Sequence, residues 1–344
     1  MNYSCGSINS MSEKSLLEVE NLRAYFHIEQ GIVRAVDGVS FDIRREGSLG
    51  IVGESGCGKS VTALSIMQLL PKPEGKIEGG EIYYYKNSNE SINIAKLNPY
   101  GDEIRDIRGN EISMIFQEPM TSLNPVYSIG QQIMEAIQLH QKVDKGEARK
   151  RAIKILDRVR IPAPKQRVDE YPHQLSGGMR QRVMIAIALS CNPALLIADE
   201  PTTALDVTIE AQILTLIKEL QKEFGMSLMI ITHDLGVIGE MADNVIVMYV
   251  GKVVEKASTK DIFENPLHPY TKALLKSLPK IGRKERLVSI SGSVPNPYLL
   301  PKGCRFAPRC NEAKDICKKE IPPMCKLEGN HCVYCWNYWE KETG

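Results

Sequence analysis

The segment Gly53–Ser60 reads GESGCGKS and has the spacing of a phosphate-binding loop. Glycines in such a loop let backbone N–H groups turn inward around phosphates, at the positive end of the following helix. Lys59 is placed to reach the β- and γ-phosphates, and the Ser60 hydroxyl to bind Mg²⁺. We expect the following residues to contact a nucleoside triphosphate: Gly53, Glu54, Ser55, Gly56, Cys57, Gly58, Lys59, Ser60 and Val61.

A second set of groups follows an apolar run at Leu195–Ala198, which ends in Asp199 and Glu200. Asp199 suits indirect coordination of Mg²⁺, and Glu200 is placed to polarise or deprotonate an attacking water. An acidic pair at the end of a strand can also cap a helix, which the following Pro201-Thr202-Thr203 allows. Because the chain also carries a phosphate-binding loop, we favour a role of Asp199 and Glu200 in hydrolysis over helix capping.

The elements around the loop have the order that phosphate binding requires. Ser48–Val52 is a short apolar run, and Lys59–Leu70 has helical spacing until Pro71. A chance match in a glycine-rich turn would lack this strand, loop and helix. The spacing therefore predicts a nucleotide site on an ordered scaffold.

The rest of the chain predicts an α/β fold. Alternating residues at Leu17–Phe26 and Val33–Ile43 predict a half-buried antiparallel pair. Ile112–Phe116, Leu195–Ala198 and Leu228–Ile231 read as buried strands, each followed by a polar or acidic residue. Buried apolar strands of this kind predict a mostly parallel sheet covered by helices.

Three regions follow from these patterns. We expect an N-terminal tail at 1–15, a nucleotide-binding domain at 16–257 and a C-terminal extension at 258–344. Helical periodicity without a strand signal predicts a helical subdomain at about 119–192. The extension becomes loop-rich and contains many prolines.

Composition excludes some classes of function. The chain has 344 residues, with 43 Lys and Arg against 42 Asp and Glu, for a formal net charge of +1. No strong field draws it to nucleic acid, and we expect no nucleic-acid partner. Its apolar stretches are too short to cross a bilayer, and Met1–Lys14 lacks the pattern of a signal peptide. We therefore expect the protein to work in the cytosol.

The segment Leu175–Gln181 reads LSGGMRQ and resembles the signature sequence of ABC transporter ATP-binding subunits. This resemblance implies that two such domains sandwich two ATP molecules. Ser176, Gly177 and Gly178 would close on the ATP of the partner subunit. By itself Ser176 reads as a helix N-cap, and a capped helix end that points outward is also an anion site.

The same resemblance implies roles for three further residues. Gln117 matches the glutamine that senses Mg²⁺ and the attacking water, and it lies beside the contact with the membrane subunits in the family. His233 matches the switch histidine that contacts the γ-phosphate, and Asp206 matches a loop that communicates across the dimer. Taken singly, a Gln or His at a strand end is more often structural than catalytic.

An aromatic residue that stacks on adenine is expected upstream of the phosphate-binding loop. Tyr25 and Phe26 both lie near the right place, and spacing does not choose between them. Strand alternation predicts that one of the pair lies in the core. We favour Phe26 for the stacking position, with Tyr25 as its rival.

The segment Glu264–Thr271 reads ENPLHPYT and leads into an amphipathic helix through Leu278. It resembles a segment of the ATP-binding subunits of oligopeptide, dipeptide and nickel importers. This resemblance implies an ATPase at the cytoplasmic face of the membrane, bound to two permease subunits and a second ATP-binding subunit. An external binding protein would deliver peptides. A nickel importer is the close alternative, and a soluble ABC ATPase of translation or DNA repair is less favoured.

Cys304, Cys310, Cys317 and Cys335 follow the cysteine pattern of the same subfamily, where four thiolates hold a [4Fe–4S] cluster. A zinc site that uses Cys332, Cys335 and His331 is the alternative, since closely spaced cysteines are usual for zinc. Unligated thiols or disulfides are a third possibility. The extension also contains Cys325 and Cys332, which are not part of the four-cysteine pattern. The sequence therefore does not decide which cysteine is the fourth ligand.

Overall fold

A computed structural model describes residues 15–87, 90–117, 122–203, 205–277 and 290–339. The predicted N-terminal tail lies almost wholly outside these residues. The chain divides into two compact units. The first consists of Met1–Asp42, Leu49–Ala95 and Thr232–Gly344, and the second of Ile43–Ser48 and Lys96–Ile231. The phosphate-binding loop and the C-terminal extension belong to the first unit.

The first unit begins with an antiparallel sheet. Its strands are β1 (Ser15–Ile28), β2 (Gly31–Arg44), β4 (Gly75–Asn87) and β5 (Glu90–Asn93), in the order β2-β1-β4-β5. The two alternating segments of the sequence are thus neighbouring strands, as predicted. Leu17 and Val19 are buried two residues apart in β1, as strand alternation predicts, and so are Leu22 and Ala24 beyond a register shift in the pairing with β4.

A second group of strands in this unit carries the loop. It has the order β11-β12-β10-β9-β3, and β3 runs parallel to β9. The strands are β3 (Ser48–Val52), β9 (Asn244–Tyr249), β10 (Lys252–Ser258), β11 (Cys325–Lys326) and β12 (Cys332–Val333). Strands β9 and β10 pair in antiparallel fashion and form a hairpin around Gly251. The cysteine-rich extension adds β12 beside β10, and β11 pairs with β12.

The helices of the first unit are short. They are α1 (Lys59–Ile66), α8 (Leu235–Met241), α9 (Thr259–Glu264), α10 (Pro269–Lys276) and α11 (Asp315–Lys319). Helix α1 ends before the predicted Leu70, because Gln68 adopts a left-handed conformation at φ 53°. The predicted end of α10 at Leu278 lies outside the described residues.

The second unit has three parallel strands, β6 (Ile112–Ile115), β7 (Leu195–Asp199) and β8 (Ser227–Thr232), with β7 between the other two. Every residue of β7 and β8 is buried, so their continuous apolar runs match strands covered on both faces. Its helices are α2 (Asp102–Ile107), α3 (Ile129–Gln141), α4 (Lys145–Arg158), α5 (Pro164–Arg167), α6 (Gly177–Leu189) and α7 (Val207–Phe224). The predicted α/β class is confirmed, since each unit combines strands with helices.

Within the part of the predicted helical subdomain that the structure describes, residues 122–192, there are helices and no strand. Across all described residues, no helix combines the length and the apolar character needed to span a bilayer.

Glu255 on β10 anchors the start of the C-terminal extension. Its carboxylate is fully buried and accepts hydrogen bonds from the N–H groups of Leu267, at 2.8 Å, and His268, at 2.9 Å. The ring Nε2 of His331 lies 2.7 Å from the same carboxylate. Burial alone would raise the pKa of Glu255, but these hydrogen bonds, that of His331 first among them, outweigh burial and hold the pKa below its usual value.

We expect Glu255→Gln to lower the free energy of unfolding by about 2 kcal/mol at pH 7, because charge-assisted hydrogen bonds to a buried carboxylate are lost. Since the folded-state pKa lies below the ordinary 4.5, the contribution of the charge is present above pH 4.5 and disappears as the pH falls through the folded-state value. Urea unfolding of both proteins across this range should show their difference shrinking at low pH. Glu264→Gln, at an exposed acid, is the control, and a difference independent of pH would contradict the prediction.

Candidate functional site

The phosphate-binding loop joins β3 to α1 and needs glycine at two positions for steric reasons. A Cβ at Gly53 would lie 2.2 Å from the carbonyl oxygen of Met248, and one at Gly58 would lie 2.2 Å from that of Ala35. Gly58 also has φ 98°, which side chains rarely adopt. Backbone packing and loop conformation therefore account for the glycine pattern seen in the sequence.

Lys59 opens α1 and is buried, with 5% of its surface exposed. Its Nζ donates hydrogen bonds to the carbonyl oxygens of Gly53, at 2.7 Å, and Glu54, at 3.2 Å. Ser60 and Val61 follow it and are half-buried. The structure thus places the ammonium group and the Ser60 hydroxyl together at a helix N-terminus, where phosphate oxygens bind favourably.

The remaining loop residues differ in exposure. Ser55 and Gly56 are exposed, whereas the side chain of Cys57 is buried, and burial raises the pKa of its thiol. The Cys57 carbonyl accepts a hydrogen bond of 2.8 Å from the N–H of Gly251. Any contact of Cys57 with nucleotide is therefore expected from the backbone, while its side chain fills the core.

In the second unit, the structure brings the predicted base together with Gln117. The Nε2 of Gln117 donates to Oε2 of Glu200 at 3.0 Å. Thr203 Oγ1 donates to the same oxygen, also at 3.0 Å. Glu200 follows β7 in a left-handed conformation, with φ 46°, and Asp199 is buried at the end of the strand. Sequence reasoning missed Thr203, because a hydroxyl three residues after an acid in a turn is only a weak signal for such a bond.

The signature segment has an open helix start. Ser176 caps α6, as predicted, by accepting a hydrogen bond from the N–H of Met179 at 3.4 Å. Ser176 and Gly177 are exposed, and a Cβ at Gly177 would meet no atom within 4 Å. The chain's own packing therefore does not explain glycine at position 177. An exposed, capped helix N-terminus without side-chain obstruction can accept an anion.

Asp206 and His233 lie at element ends. Asp206 caps α7 by accepting hydrogen bonds from the N–H groups of Thr208 and Ile209, at 3.1 and 3.0 Å. Ala204, two residues earlier, lies outside the described residues. His233 is exposed directly after β8, one residue before the N-cap of α8. Their roles toward nucleotide and partner subunit stay predictions.

The expectation that strand alternation buries either Tyr25 or Phe26 is wrong, because both are partly exposed. The register of β1 against β4 shifts between Arg23 and Ala24, and this irregularity breaks the alternation just before the aromatic pair. Phe26 pairs with Gly75, and a Cβ at Gly75 would lie 3.0 Å from Cε1 of Phe26, so glycine at this position leaves room for the ring.

Tyr25 is held by a polar network. Its hydroxyl donates to Oδ1 of Asp37 at 2.8 Å, and burial together with this carboxylate raises the pKa of the phenol. Asp37 forms ion pairs with Lys252, at 3.3 Å, and with Arg305 of the C-terminal extension. The hydroxyl of Tyr25 thus has a structural use, whereas Phe26 offers a ring without a polar tether.

The four predicted cluster cysteines line one cavity. Its walls include Cys304, Cys310, Cys317, Cys335, His268 and Phe306, and they do not include Cys332 or His331. Burial raises the pKa of Cys304 and Cys310, and raises that of Cys335 to about 11. Among the described residues, no group of three or more His, Cys, Asp or Glu side chains is arranged to hold a metal ion. The structure therefore brings the four thiols to one place, and the cluster that they were predicted to hold stays a prediction.

Comparisons with known proteins agree with these features. A family model described as "ABC transporter" matches residues 36–203, and one described as "Oligopeptide/dipeptide transporter, C-terminal region" matches residues 254–317. The chain is 54% identical to the oligopeptide transport ATP-binding protein AppD of Bacillus subtilis, over 95% of this chain and 98% of that protein. It is 50% identical to a probable peptide ABC transporter ATP-binding protein of Sinorhizobium fredii, over 93% and 94% of the two chains.

Solved structures support the fold. The dimeric structure of the ATP-binding cassette MJ0796 in a post-hydrolysis state, bound to ADP and Pi, is similar with a TM-score of 0.61 and 29% identity. That match covers 71% of this chain and 98% of the other. A structure of cbiO1 from Clostridium perfringens, part of the complex cbiONQ, matches with a TM-score of 0.60 over 74% of this chain and 92% of that one.

Proposed function

The chain belongs to the ATP-binding proteins of ABC transporters, and on that premise we propose that it is the ATP-hydrolysing subunit of a peptide importer. The observation that carries the proposal is the presence in one chain of the ATPase motifs and the C-terminal region of oligopeptide and dipeptide transporters. The relatives named for peptide transport match over more than nine-tenths of both chains, so the two regions occur together in them as well.

Glu200 is the proposed general base, which takes a proton from the water that attacks the γ-phosphate. The hydrogen bonds from Gln117 and Thr203 to one of its oxygens support this role, since they orient the carboxylate. Lys59 and the loop N–H groups would bind the phosphates, and His233 would contact the γ-phosphate. Mg²⁺, when bound, neutralises phosphate charge, and Ser60, Gln117 and Asp199 have the hydroxyl, amide and carboxylate oxygens to hold it directly or through water.

A second ATP-binding subunit would complete each site. We propose that Ser176, Gly177 and Gly178 meet the ATP of that partner and that Asp206 lies at the shared interface. The open space at Gly177 favours this arrangement, because a group from outside the chain can approach the start of α6 closely. For adenine stacking we retain Phe26, since the hydroxyl of Tyr25 is tied to Asp37.

The subunit would act at the cytoplasmic face of the membrane on two permease subunits, with an external binding protein that delivers the peptide. Affinity isolation from gently solubilised membranes, without oxygen, tests this assembly. We expect two permeases and an ATP-binding partner, and the ligand of the associated binding protein identifies the cargo. Recovery of a nickel-binding protein instead would identify nickel, not a peptide, as the cargo. Recovery only from the soluble fraction, with ribosomes or DNA repair proteins, would contradict the transport role.

We also propose that Cys304, Cys310, Cys317 and Cys335 hold a [4Fe–4S] cluster. The shared cavity supports this set, because it brings together the four cysteines that the subfamily pattern selects. Zinc held by Cys332, Cys335 and His331 is less favoured. Cys332 and His331 do not line the cavity, and His331 is engaged by Glu255 at 2.7 Å.

Purified without oxygen, the wild type should be brown and contain about four iron atoms per chain. Cys304→Ser should lose most of this iron and the visible absorption, because one of four thiolates is removed. Cys325→Ser is the matched control, since Cys325 is buried in the same extension but does not line the cavity. Colourless wild-type protein with one zinc per chain would contradict the cluster.

A further inference from the structure

Two side chains of the C-terminal extension, those of Tyr270 and Arg309, contact Glu54 of the phosphate-binding loop. Its carbonyl oxygen accepts a hydrogen bond from Nζ of Lys59 at 3.2 Å. Its N–H donates to the hydroxyl of Tyr270 at 2.9 Å, and its carboxylate lies 2.7 Å and 3.1 Å from the two terminal nitrogens of Arg309. Three polar groups of a single loop residue are thus held by side chains, two of which belong to the extension.

Arg309 is built into this position. Its side chain is 4% exposed, and each of its five N–H donors has an acceptor. Beyond the two bonds to Glu54, Nη1 donates to the hydroxyl of Tyr249, Nε to the carbonyl of Ser291 and Nη2 to that of Ile290. The hydrogen bonds to Glu54 are the largest cause that raises the pKa of the guanidinium. With all donors in use, Arg309 has none left for a phosphate oxygen.

Tyr270 is equally constrained. It is fully buried in α10, and its ring packs on Tyr249 and Phe306 with centroid distances of 4.6 and 5.3 Å. Burial raises the pKa of its hydroxyl, which therefore stays protonated. Because the aromatic rings cannot move freely in this packing, the hydroxyl is a fixed acceptor for the Glu54 N–H.

We propose that Arg309 and Tyr270 are positioning residues of the ATP site, which act through Glu54 on the phosphate-binding loop and Lys59. A bidentate ion pair fixes both distance and orientation of the carboxylate, so the Glu54 carbonyl that accepts from Lys59 is fixed as well. A loop already in its binding conformation costs less conformational entropy when ATP binds. The extension thereby contributes to ATP affinity through Glu54.

The test measures binding of a non-hydrolysable ATP analogue with Mg²⁺ to the full chain by calorimetry, and KM and kcat in the assembled complex. We expect Arg309→Gln and Glu54→Gln each to raise Kd and KM by about tenfold, the loss of one charge-assisted pair, with little change in kcat. Tyr270→Phe keeps the ring and should raise Kd by about threefold. Lys318→Gln, at an exposed lysine of the same extension, is the control.

A double variant of Glu54 and Arg309 tests whether the two residues act through one shared contact or affect ATP binding independently. The double variant Glu54→Gln/Arg309→Gln should bind the analogue about as tightly as either single variant, because both changes remove the same contact. Arg309→Lys should recover part of the affinity. A Kd for Arg309→Gln equal to that of the wild type, with a lower melting temperature in the absence of nucleotide, would overturn the proposal and leave a structural role.

The proposal would also be overturned if the fold-increases in Kd of the two single variants multiplied in the double variant. If Arg309→Gln fails to fold, Glu54→Gln and Tyr270→Phe carry the test, because neither removes a buried charge from the extension. Failure of the wild type to bind the analogue would contradict the ATPase assignment instead.

Discussion

Glu200→Gln is expected to lower the ATPase rate of the assembled transporter by at least about 10²-fold, because the proposed base for the attacking water is lost. The amide has nearly the same shape as the carboxylate, and its oxygen can still accept from Gln117 and Thr203, which lie 3.0 Å from the carboxylate oxygen. Structure and ATP binding should therefore be retained. A steady-state ATPase assay together with analogue binding checks both parts.

The matched control for this prediction is Glu223→Gln, at a half-exposed glutamate of α7 that pairs with Arg158. It should leave the rate unchanged. An unchanged rate in Glu200→Gln would contradict the role of general base. A variant that has lost both hydrolysis and analogue binding would show damage to the site rather than removal of a base.

Lys59→Met is expected to lower kcat by about 10² to 10³-fold, because a positioned cation at the developing phosphate charge is lost. Methionine retains much of the apolar stem of a side chain that is 5% exposed, so the loop should still pack. The hydrogen bonds from Nζ to the carbonyls of Gly53 and Glu54 also disappear, and we expect weaker ATP binding for this second reason.

Phosphate release in the assembled complex and calorimetric titration of the full chain measure the two effects of Lys59→Met separately. Lys150→Met, at a lysine of α4 with 80% of its side chain exposed, controls for the loss of a positive charge. Hydrolysis within threefold of the wild type in Lys59→Met would rule out the proposed contact with the β- and γ-phosphates.

Features that depend on neighbouring residues could be predicted from the sequence. The order of strand, loop and helix around Gly53–Ser60, the cap at Ser176 and the buried strand before Asp199 all follow from spacing and residue type. In each case the groups concerned lie within a few residues of one another. Gln117 and His233 were predicted only from the family resemblance, because a single Gln or His at a strand end carries little information of its own.

The prediction from strand alternation was wrong at Tyr25 and Phe26 in β1. Alternation predicts one buried ring, but the irregular register near Arg23 lies between two strands and has no signature in either segment alone. Thr203 was missed for a different reason: its bond to Glu200 is local, yet many hydroxyls in turns bond elsewhere.

The sequence by itself determined the α/β class, the phosphate-binding loop and the place of Asp199 and Glu200 at the end of a buried strand, because backbone geometry ties near neighbours to one spacing. Only the tertiary structure decided that four separated cysteines line one cavity. It also decided that Arg309 meets Glu54, which lies 255 residues earlier in the chain. Pairing across such a distance depends on how whole elements pack, and no periodicity of either segment encodes it.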